Sequence, residues 1–206
     1  MLTHPVPHGD DLVRASPETP QAASFDAKQF RSVMGRFASG VTIVGYLRAG
    51  EPAGLTATAF ISVSLKPPLV LVSVRAESRF LASVPVGTRF CISFLNHDQR
   101  AVSDHFGGRP TDPGPRPFEL WQSVPAVTDA VAGLAVCATD IYPAGDHRLV
   151  IAEVEQMFHT ERKPLLFFGG RYGRLALEGL ERELAGEMAT EMQARENPSA
   201  DTSMAH

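Results

Sequence analysis

The apolar and polar positions of the chain change once from a helical to a strand-like repeat. Between residues 26 and 40, apolar side chains recur at i, i+3, i+4 and i+7, which places them on one face of an amphipathic helix. These side chains are Phe30, Val33, Met34 and Phe37. Asp26 is suited to cap the start of this helix, and Gly40 is suited to end it. The pattern therefore predicts one helix at the start of the fold.

From residue 41 onward the chain is rich in β-branched residues and repeats with a period of two, as half-buried strands do. The predicted strands span residues 41–47, 55–62, 68–74, 88–95, 134–143, 147–158 and 164–175. Two short helices are predicted between them, one capped by Ser78 and one capped by Asn96 or Asp98 and ended by Gly107 and Gly108. About six or seven antiparallel strands with a few short peripheral helices predict a mainly β fold, a small β-barrel rather than a sheet of βαβ units.

The ends of the chain and one internal segment lack regular patterning. The predicted organisation is a disordered N-terminal tail at 1–24, a single domain at 25–176, and an acidic helix with a disordered tail at 177–206. Inside the domain, Pro and Gly recur so often in residues 107–117 that only a loop is possible. Its Arg109 and Arg116 are either solvated or in contact with a cofactor tail.

The composition is that of an ordinary folded domain, and it limits the classes of partner that the protein is expected to bind. The 206 residues are 44% hydrophobic and 20% charged, with a net charge of −4. This charge argues against a general nucleic-acid binder, because neutralising phosphates needs a clustered basic surface. No apolar run reaches the roughly 18 residues of a membrane helix, and the first residues lack the order of a signal peptide. Cys91 and Cys137 lie in apolar strands without metal-ligand spacing. We therefore expect a cytoplasmic protein with small-molecule or protein partners, and no contact with nucleic acid or membrane.

The stretch from Gly54 to Arg79 carries the most distinctive chemistry. In its first half, hydroxyl side chains alternate along one strand face and leave the backbone accessible to a flat ligand. They are Thr56, Thr58, Ser62 and Ser64. In its second half, hydroxyls and guanidinium groups gather at a helix start, which is a suitable site for phosphate. They are Ser73, Arg75, Ser78 and Arg79. The alternatives are a plain strand with solvent-facing threonines and a helix cap beside two solvated arginines.

No motif indicates nucleophilic or metal chemistry. The chain contains no GxSxG, HExxH, Walker A or GxGxxG pattern. Its histidines show no HxxxH or HxH spacing, so we expect no metal site. The turn Gly145-Asp146-His147 joins two long strands and is, by itself, typical of a hairpin. Nucleophilic and metal catalysis therefore have no candidate residues in this sequence.

Five blocks, in this order and spacing, resemble the short-chain NAD(P)H:flavin reductase family. They are FRSVMGRFASGVTIV (30–44), GLTATAFISVSLKPPLVLVSVRAESR (54–79), SDHFGGR (103–109), GDHRLVIAEVE (145–155) and PLLFFGGRYGRL (164–175). The resemblance implies an FMN-binding split β-barrel, usually a homodimer with the flavin near the subunit interface. It also implies reduction of free FMN or FAD by NADH or NADPH, and a separate flavin-dependent monooxygenase that receives the reduced flavin by diffusion.

The resemblance further implies which residues contact the cofactors. The expected flavin contacts are Gly54, Leu55, Thr56, the stretch Ser73–Arg79 (Ser73, Val74, Arg75, Ser78 and Arg79), Phe106 and Gly107. Thr58 and Ala59 are expected beside the isoalloxazine ring and the nicotinamide. The expected contacts of the nicotinamide nucleotide are Gly145, Asp146 and His147. No catalytic side chain or metal ligand is implied, because hydride passes directly between the cofactors. Many relatives have serine where this chain has Ala59, so at this position only the backbone can donate a hydrogen bond to the cofactor.

Two rival functions fit the same residues. One is a self-contained flavoprotein that retains FMN and reduces another acceptor. The other is a flavin- or haem-binding split-barrel module without turnover. His147 separates the reductase from this module, because a binder without turnover has no use for a nicotinamide contact.

Overall fold

A computed structural model describes residues 26–112 and 114–176 of the chain. The helices are α1 (Ala27–Met34), α2 (Arg79–Ser83) and α3 (Arg100–Phe106). The strands are β1 (Ser39–Gly40), β2 (Thr42–Arg48), β3 (Glu51–Ala57), β4 (Phe60–Leu65), β5 (Pro68–Arg75), β6 (Arg89–Phe94), β7 (Phe118–Trp121), β8 (Val124–Val127), β9 (Ala132–Ala144), β10 (His147–His159), β11 (Leu165–Phe168) and β12 (Arg171–Arg174). The tail predicted at 1–24 and the helix and tail predicted at 177–206 lie outside the described residues. In the described part of the chain, no helix is long and apolar enough to cross a membrane.

Seven of the described strands form one antiparallel sheet in the order β3-β2-β6-β9-β10-β5-β4. Its two edge strands, β3 and β4, are consecutive in the chain and separated only by Thr58 and Ala59. The chain between the last residue of β3 and the first of β4 can span at most about 11 Å. The sheet must therefore curl until the end of β3 lies beside the start of β4, which is the geometry of a small barrel. We call Thr58 and Ala59, where the edges meet, the seam.

The predicted fold class, mainly β and antiparallel, is confirmed with differences in detail. The strand expected at 55–62 is interrupted at the seam, and the last predicted strand is a hairpin of β11 and β12. The short strands β1, β7 and β8 were not predicted. β7 pairs with β8, and β1 joins the β11–β12 hairpin. Strands of two to four residues are too short to show a period in the sequence.

Helix α3 begins later than predicted, and neither Asn96 nor Asp98 caps it. The N-cap position is Gln99, which makes no side-chain hydrogen bond to the helix amides. The Asn96 side chain instead accepts from the Asp98 amide at 2.8 Å and donates to the Asp129 carbonyl at 2.7 Å. The cap prediction was wrong because this contact with Asp129, 33 residues away, occupies the amide side chain.

Apolar side chains of the main sheet fill the barrel, and α2 closes one side of it. Phe80 in α2 is fully buried, with its ring edge-on to Tyr46 at 5.2 Å and to Phe90 at 5.3 Å. As predicted, Ser78 caps this helix, accepting from the Phe80 amide at 3.3 Å. Burying such a side chain stabilises the fold by about 1.5–3 kcal/mol. The Phe80 side chain therefore anchors the preceding segment, which carries Arg75, on the barrel.

The apolar face of α1 is exposed in the single chain. The helix ends at Met34, with Gly35 at the C-cap, several residues before the predicted stop at Gly40. Its Val33 and Met34 are more than half exposed, and Phe37 just beyond it is 76% exposed. An apolar stripe of this kind needs another surface to cover it.

Candidate functional site

A cleft of about 650 Å³ opens at the seam of the barrel. Its lining residues are Leu55, Thr56, Ala57, Thr58, Ala59, Ser73, Val74, Arg75, Glu77, Ser78, Phe106, Gly107, Gly108 and His147. They come from β3, the seam, β5, the cap of α2, the end of α3 and the start of β10. The volume falls within the roughly 300–1,000 Å³ typical of small-molecule sites. We call this site the seam cleft.

The backbone amides at the seam lie outside the strand ladders. Pairing of β3 with β2 stops at Ala57, and pairing of β4 with β5 begins at Phe60. The Ala59 carbonyl accepts from the Ser73 amide at 3.0 Å. Among the described residues, the amides of Thr58 and Ala59 make no backbone hydrogen bond. Both amides can therefore donate to a ligand, and the small Ala59 side chain lets a flat ring approach.

Ser103 joins α3 to the strand that leads into the seam. Its carbonyl accepts from the Thr56 hydroxyl at 2.8 Å and from the Gly107 amide at 2.9 Å. The Thr56 hydroxyl thus donates inside the protein and offers a ligand only its acceptor lone pairs. Phe106 packs over Gly54 so closely that a Cβ on the glycine would lie 2.9 Å from the phenylalanine ring. These contacts hold the α3 side of the cleft against β3.

Three of the four groups expected to bind phosphate, all but Arg79, lie together on the β5 side of the cleft. Ser73 and Arg75 are two residues apart on a strand and so project from the same face. Arg75 is exposed, and no carboxylate within ion-pair distance of it is found among the described residues. Ser78 stands at the cap of α2 on the same wall. The arrangement presents a cation and hydroxyl groups to an anionic ligand.

His147 reaches the same cleft from β10, where it pairs with Arg75 of β5. Its Nδ1 lies 2.7 Å from Oδ1 of Asp146. This hydrogen bond lowers the pKa of Asp146, so the carboxylate is ionised at neutral pH and can only accept. Nδ1 therefore carries the hydrogen, and Nε2 is the ring nitrogen left for a ligand. The Ala76 amide donates to the Asp146 carbonyl at 3.0 Å, which fixes the turn against the end of β5.

Most of the expected contact residues line the seam cleft, and four lie beside it. Gly54 underlies the α3 wall, and Arg79 is exposed at the first position of α2. Gly145 adopts a φ of +61° in the turn, and Asp146 orients the histidine. Three further residues line the wall, Ala57, Glu77 and Gly108. Glu77 lies within the expected stretch Ser73–Arg79 but was not itself an expected contact, and the small, uncharged Ala57 and Gly108 carry no chemical signal that sequence reasoning could have detected.

A family model described as "Flavin reductase like domain" matches residues 34–176, which include the whole seam cleft. The chain belongs to the flavin reductase-like family. Within this family, an NADH-dependent flavin reductase from Rhodococcus sp. is 40% identical over 152 residues, which cover 72% of this chain and 86% of that protein. The reductase component of 4-hydroxyphenylacetate 3-monooxygenase from Thermus thermophilus is 39% identical over 147 residues, which cover 71% and 95%.

Solved structures of flavin reductases share this fold. The flavin reductase PheA2 in its native state superposes with a TM-score of 0.71 at 39% identity, covering 74% of this chain and 99% of that chain. The family predicted from five sequence blocks is therefore confirmed.

Proposed function

We propose that this flavin reductase-like protein uses NADH or NADPH to reduce free FMN or FAD and supplies the reduced flavin to a separate monooxygenase. One observation carries the proposal. The seam cleft brings together the backbone amides of Thr58 and Ala59, the guanidinium of Arg75 and the imidazole of His147. Relatives named as a flavin reductase and as a monooxygenase reductase component support it. In this proposal residues 25–176 are the catalytic domain.

The lining of the cleft suits a reaction that the cofactors themselves carry. A bound flavin supplies the acceptor for a hydride donated directly by a reduced nicotinamide. The amides of Thr58 and Ala59 donate to the polar edge of the ring and stabilise negative charge that develops there. Arg75 and Ser78 hold a phosphate, and Nε2 of His147 contacts the nicotinamide nucleotide. No protein nucleophile is needed, which agrees with a wall made mostly of small and hydroxyl residues.

The test of this function is the dependence of NADH oxidation on added flavin. The purified protein is expected to oxidise NADH or NADPH only when free FMN or FAD is present, because flavin is a substrate that enters and leaves. No nucleotide consumption with either flavin would contradict the proposal. A full rate without added flavin would indicate the rival, a flavoprotein that retains its FMN.

Replacing His147 with alanine is expected to raise the KM for NADH about three- to tenfold, the effect of one lost hydrogen bond. The KM for flavin should change less, because the imidazole contacts the donor. Steady-state kinetics with each substrate varied in turn measures both values. His159→Ala, at the far end of β10, is the matched control and should leave both unchanged. Equal increases for both substrates in His147→Ala would mean that the turn is merely structural.

We also propose that the protein is a homodimer formed through its exposed apolar surfaces. One surface is the α1 stripe with Phe37; another is the edge strand β4, on which Ile61 is 56% and Leu65 is 87% exposed. Exposed apolar patches and an unpaired strand edge are both typical of surfaces that a second copy covers. The flavin would then lie near the interface, because β4 begins directly after the seam.

Phe37→Asp is expected to convert the dimer into a monomer at micromolar concentration, because it places an unpaired charge in an apolar interface. Sedimentation equilibrium would report half the wild-type mass. Leu120→Asp, a change of the same kind at an exposed residue of β7, should leave the dimer intact. A wild-type protein that sediments as a monomer would contradict the dimer outright.

The cytoplasm is the proposed location. Reduced nicotinamide nucleotides and free flavin are supplied there. Cys91 and Cys137 form no disulfide, and burial raises the pKa of the Cys91 thiol to about 11, which keeps it unreactive. Unpaired cysteines are usual in a reducing compartment.

A further inference from the structure

A second cleft, of about 550 Å³, lies beside the seam cleft. The two clefts share Thr56, Thr58 and Gly107 as a common wall. We call the second one the arginine cleft, because Arg100, Arg109 and Arg171 line it. Nothing in the proposed roles of the seam cleft accounts for these arginines.

The arginine cleft is the more positive of the two. Among its described lining residues, three guanidinium groups face one carboxylate, that of Asp104, an excess of two positive charges. In the seam cleft, the positive charge of Arg75 is balanced by the negative charge of Glu77. Such a local excess in a chain of net charge −4 indicates a site for an anion.

Ion pairing on the surface of α3 explains only part of this charge. Arg100 and Arg109 approach the Asp104 carboxylate at 3.4 and 3.5 Å, near the outer limit for an ion pair. Arg171 has no carboxylate partner among the described residues. It comes from a different element, β12, yet lines the same cavity.

Tyr172 holds the strand that carries Arg171 against α3. Its hydroxyl donates to the Asp104 carboxylate at 3.1 Å and accepts from the hydroxyl of the fully buried Ser103 at 2.9 Å. The Tyr172 hydroxyl must be the donor to Asp104, because a carboxylate only accepts hydrogen bonds, and the Ser103 hydroxyl is then the donor to Tyr172. The backbone segments that carry Arg100 and Arg171 are thus held on two sides of one cavity.

We propose that the arginine cleft binds the diphosphate of the nicotinamide dinucleotide whose nicotinamide ring lies in the seam cleft. The inference rests on the proposed function. Direct hydride transfer needs the reacting atoms about 3–3.5 Å apart, so the donor ring must enter the seam cleft. The doubly negative diphosphate of the same dinucleotide then extends past Thr58 and lies against the arginines of the arginine cleft. A guanidinium group suits phosphate because its N–H donors form a planar fork.

Arg171→Gln tests this assignment, with Arg174→Gln as its matched control. Arg174 is on the same strand but outside the arginine cleft, 3.4 Å from Asp98. With FMN as acceptor, Arg171→Gln is expected to raise the KM for NADH about tenfold. Titration calorimetry should show NAD⁺ binding weakened by the same factor, while the KM values for FMN and FAD stay unchanged. Arg171→Lys, which keeps the charge, should recover most of the affinity. Salt should raise the KM for NADH more in the wild type than in Arg171→Gln.

Three outcomes would overturn the assignment while the proposed function stands. The first is an active Arg171→Gln enzyme with wild-type affinity for NADH and NAD⁺. The second is an Arg171→Gln enzyme whose KM is raised for FAD but not for NADH. That result would mean that the arginine cleft binds the adenylate part of FAD. The third is an equal loss in Arg174→Gln, which would reflect general surface charge. A wild-type protein that consumes no NADH with either flavin would overturn the proposed function itself and the assignment with it.

Discussion

Replacing Arg75 with alanine is expected to raise the KM for FMN by about ten- to a hundredfold, the effect of losing a charge-assisted hydrogen bond. The KM for riboflavin should stay at the wild-type value, because riboflavin has no phosphate. Arg75 ends β5 on the wall of the seam cleft, and no competing carboxylate pairs with it among the described residues. Steady-state NADH oxidation with each flavin varied in turn measures both constants.

Arg162→Ala is the matched control for Arg75→Ala. Arg162 is also exposed, but it pairs with Asp129 at 2.6 Å and lies outside both clefts. Its removal should leave the KM for FMN unchanged. If Arg75→Ala raised the KM for riboflavin as much as the KM for FMN, the guanidinium would contact the flavin ring or stabilise the fold. The assignment of Arg75 to the phosphate would then be wrong.

Gly54→Val is expected to lower the free energy of unfolding by about 1–3 kcal/mol, because it overpacks a filled site. Even the first carbon of a side chain there would lie 2.9 Å from ring carbons of both Phe106 and Phe118. Phe106 lines the seam cleft, so a displaced ring should also weaken flavin binding at least several-fold. Urea unfolding and titration of flavin fluorescence measure the two effects.

The matched control for Gly54→Val is Gly40→Val. Gly40 is also a strand residue, but open space surrounds the position of its missing Cβ. The control should cost little stability and leave flavin affinity unchanged. Equal destabilisation by both changes would show that valine disturbs a strand glycine wherever it lies, and that the contact between Gly54 and Phe106 is not tight.

The local chemistry of the site could be predicted from the sequence because neighbouring residues determine it. Ser78 was expected to cap a helix and does so, and the turn at Asp146 and His147 was expected between two long strands and lies there. Arg75 was expected near a helix start and stands on the same wall as Ser78. Each of these features depends on residues a few positions apart.

Features that depend on distant contacts could not be predicted. The break at Thr58 and Ala59 lies inside a continuous strand-like pattern, and only the meeting of β3 with β4 at the opposite edges of one sheet produces it. Ser103 looked like an ordinary helix residue, yet it bonds partners 47 and 69 positions away. The helical period of α1 identified an apolar face but not the surface that covers it.

Turnover of free flavin is tested most directly by an anaerobic reaction of trace protein with excess NADH and FMN. We predict that the yellow absorbance of oxidised flavin disappears for many flavin molecules per protein chain, with one NADH consumed per flavin reduced. Bleaching that stops at one flavin per chain, or NADH that is not consumed at all, would contradict the assignment of the seam cleft as the site of a flavin reductase.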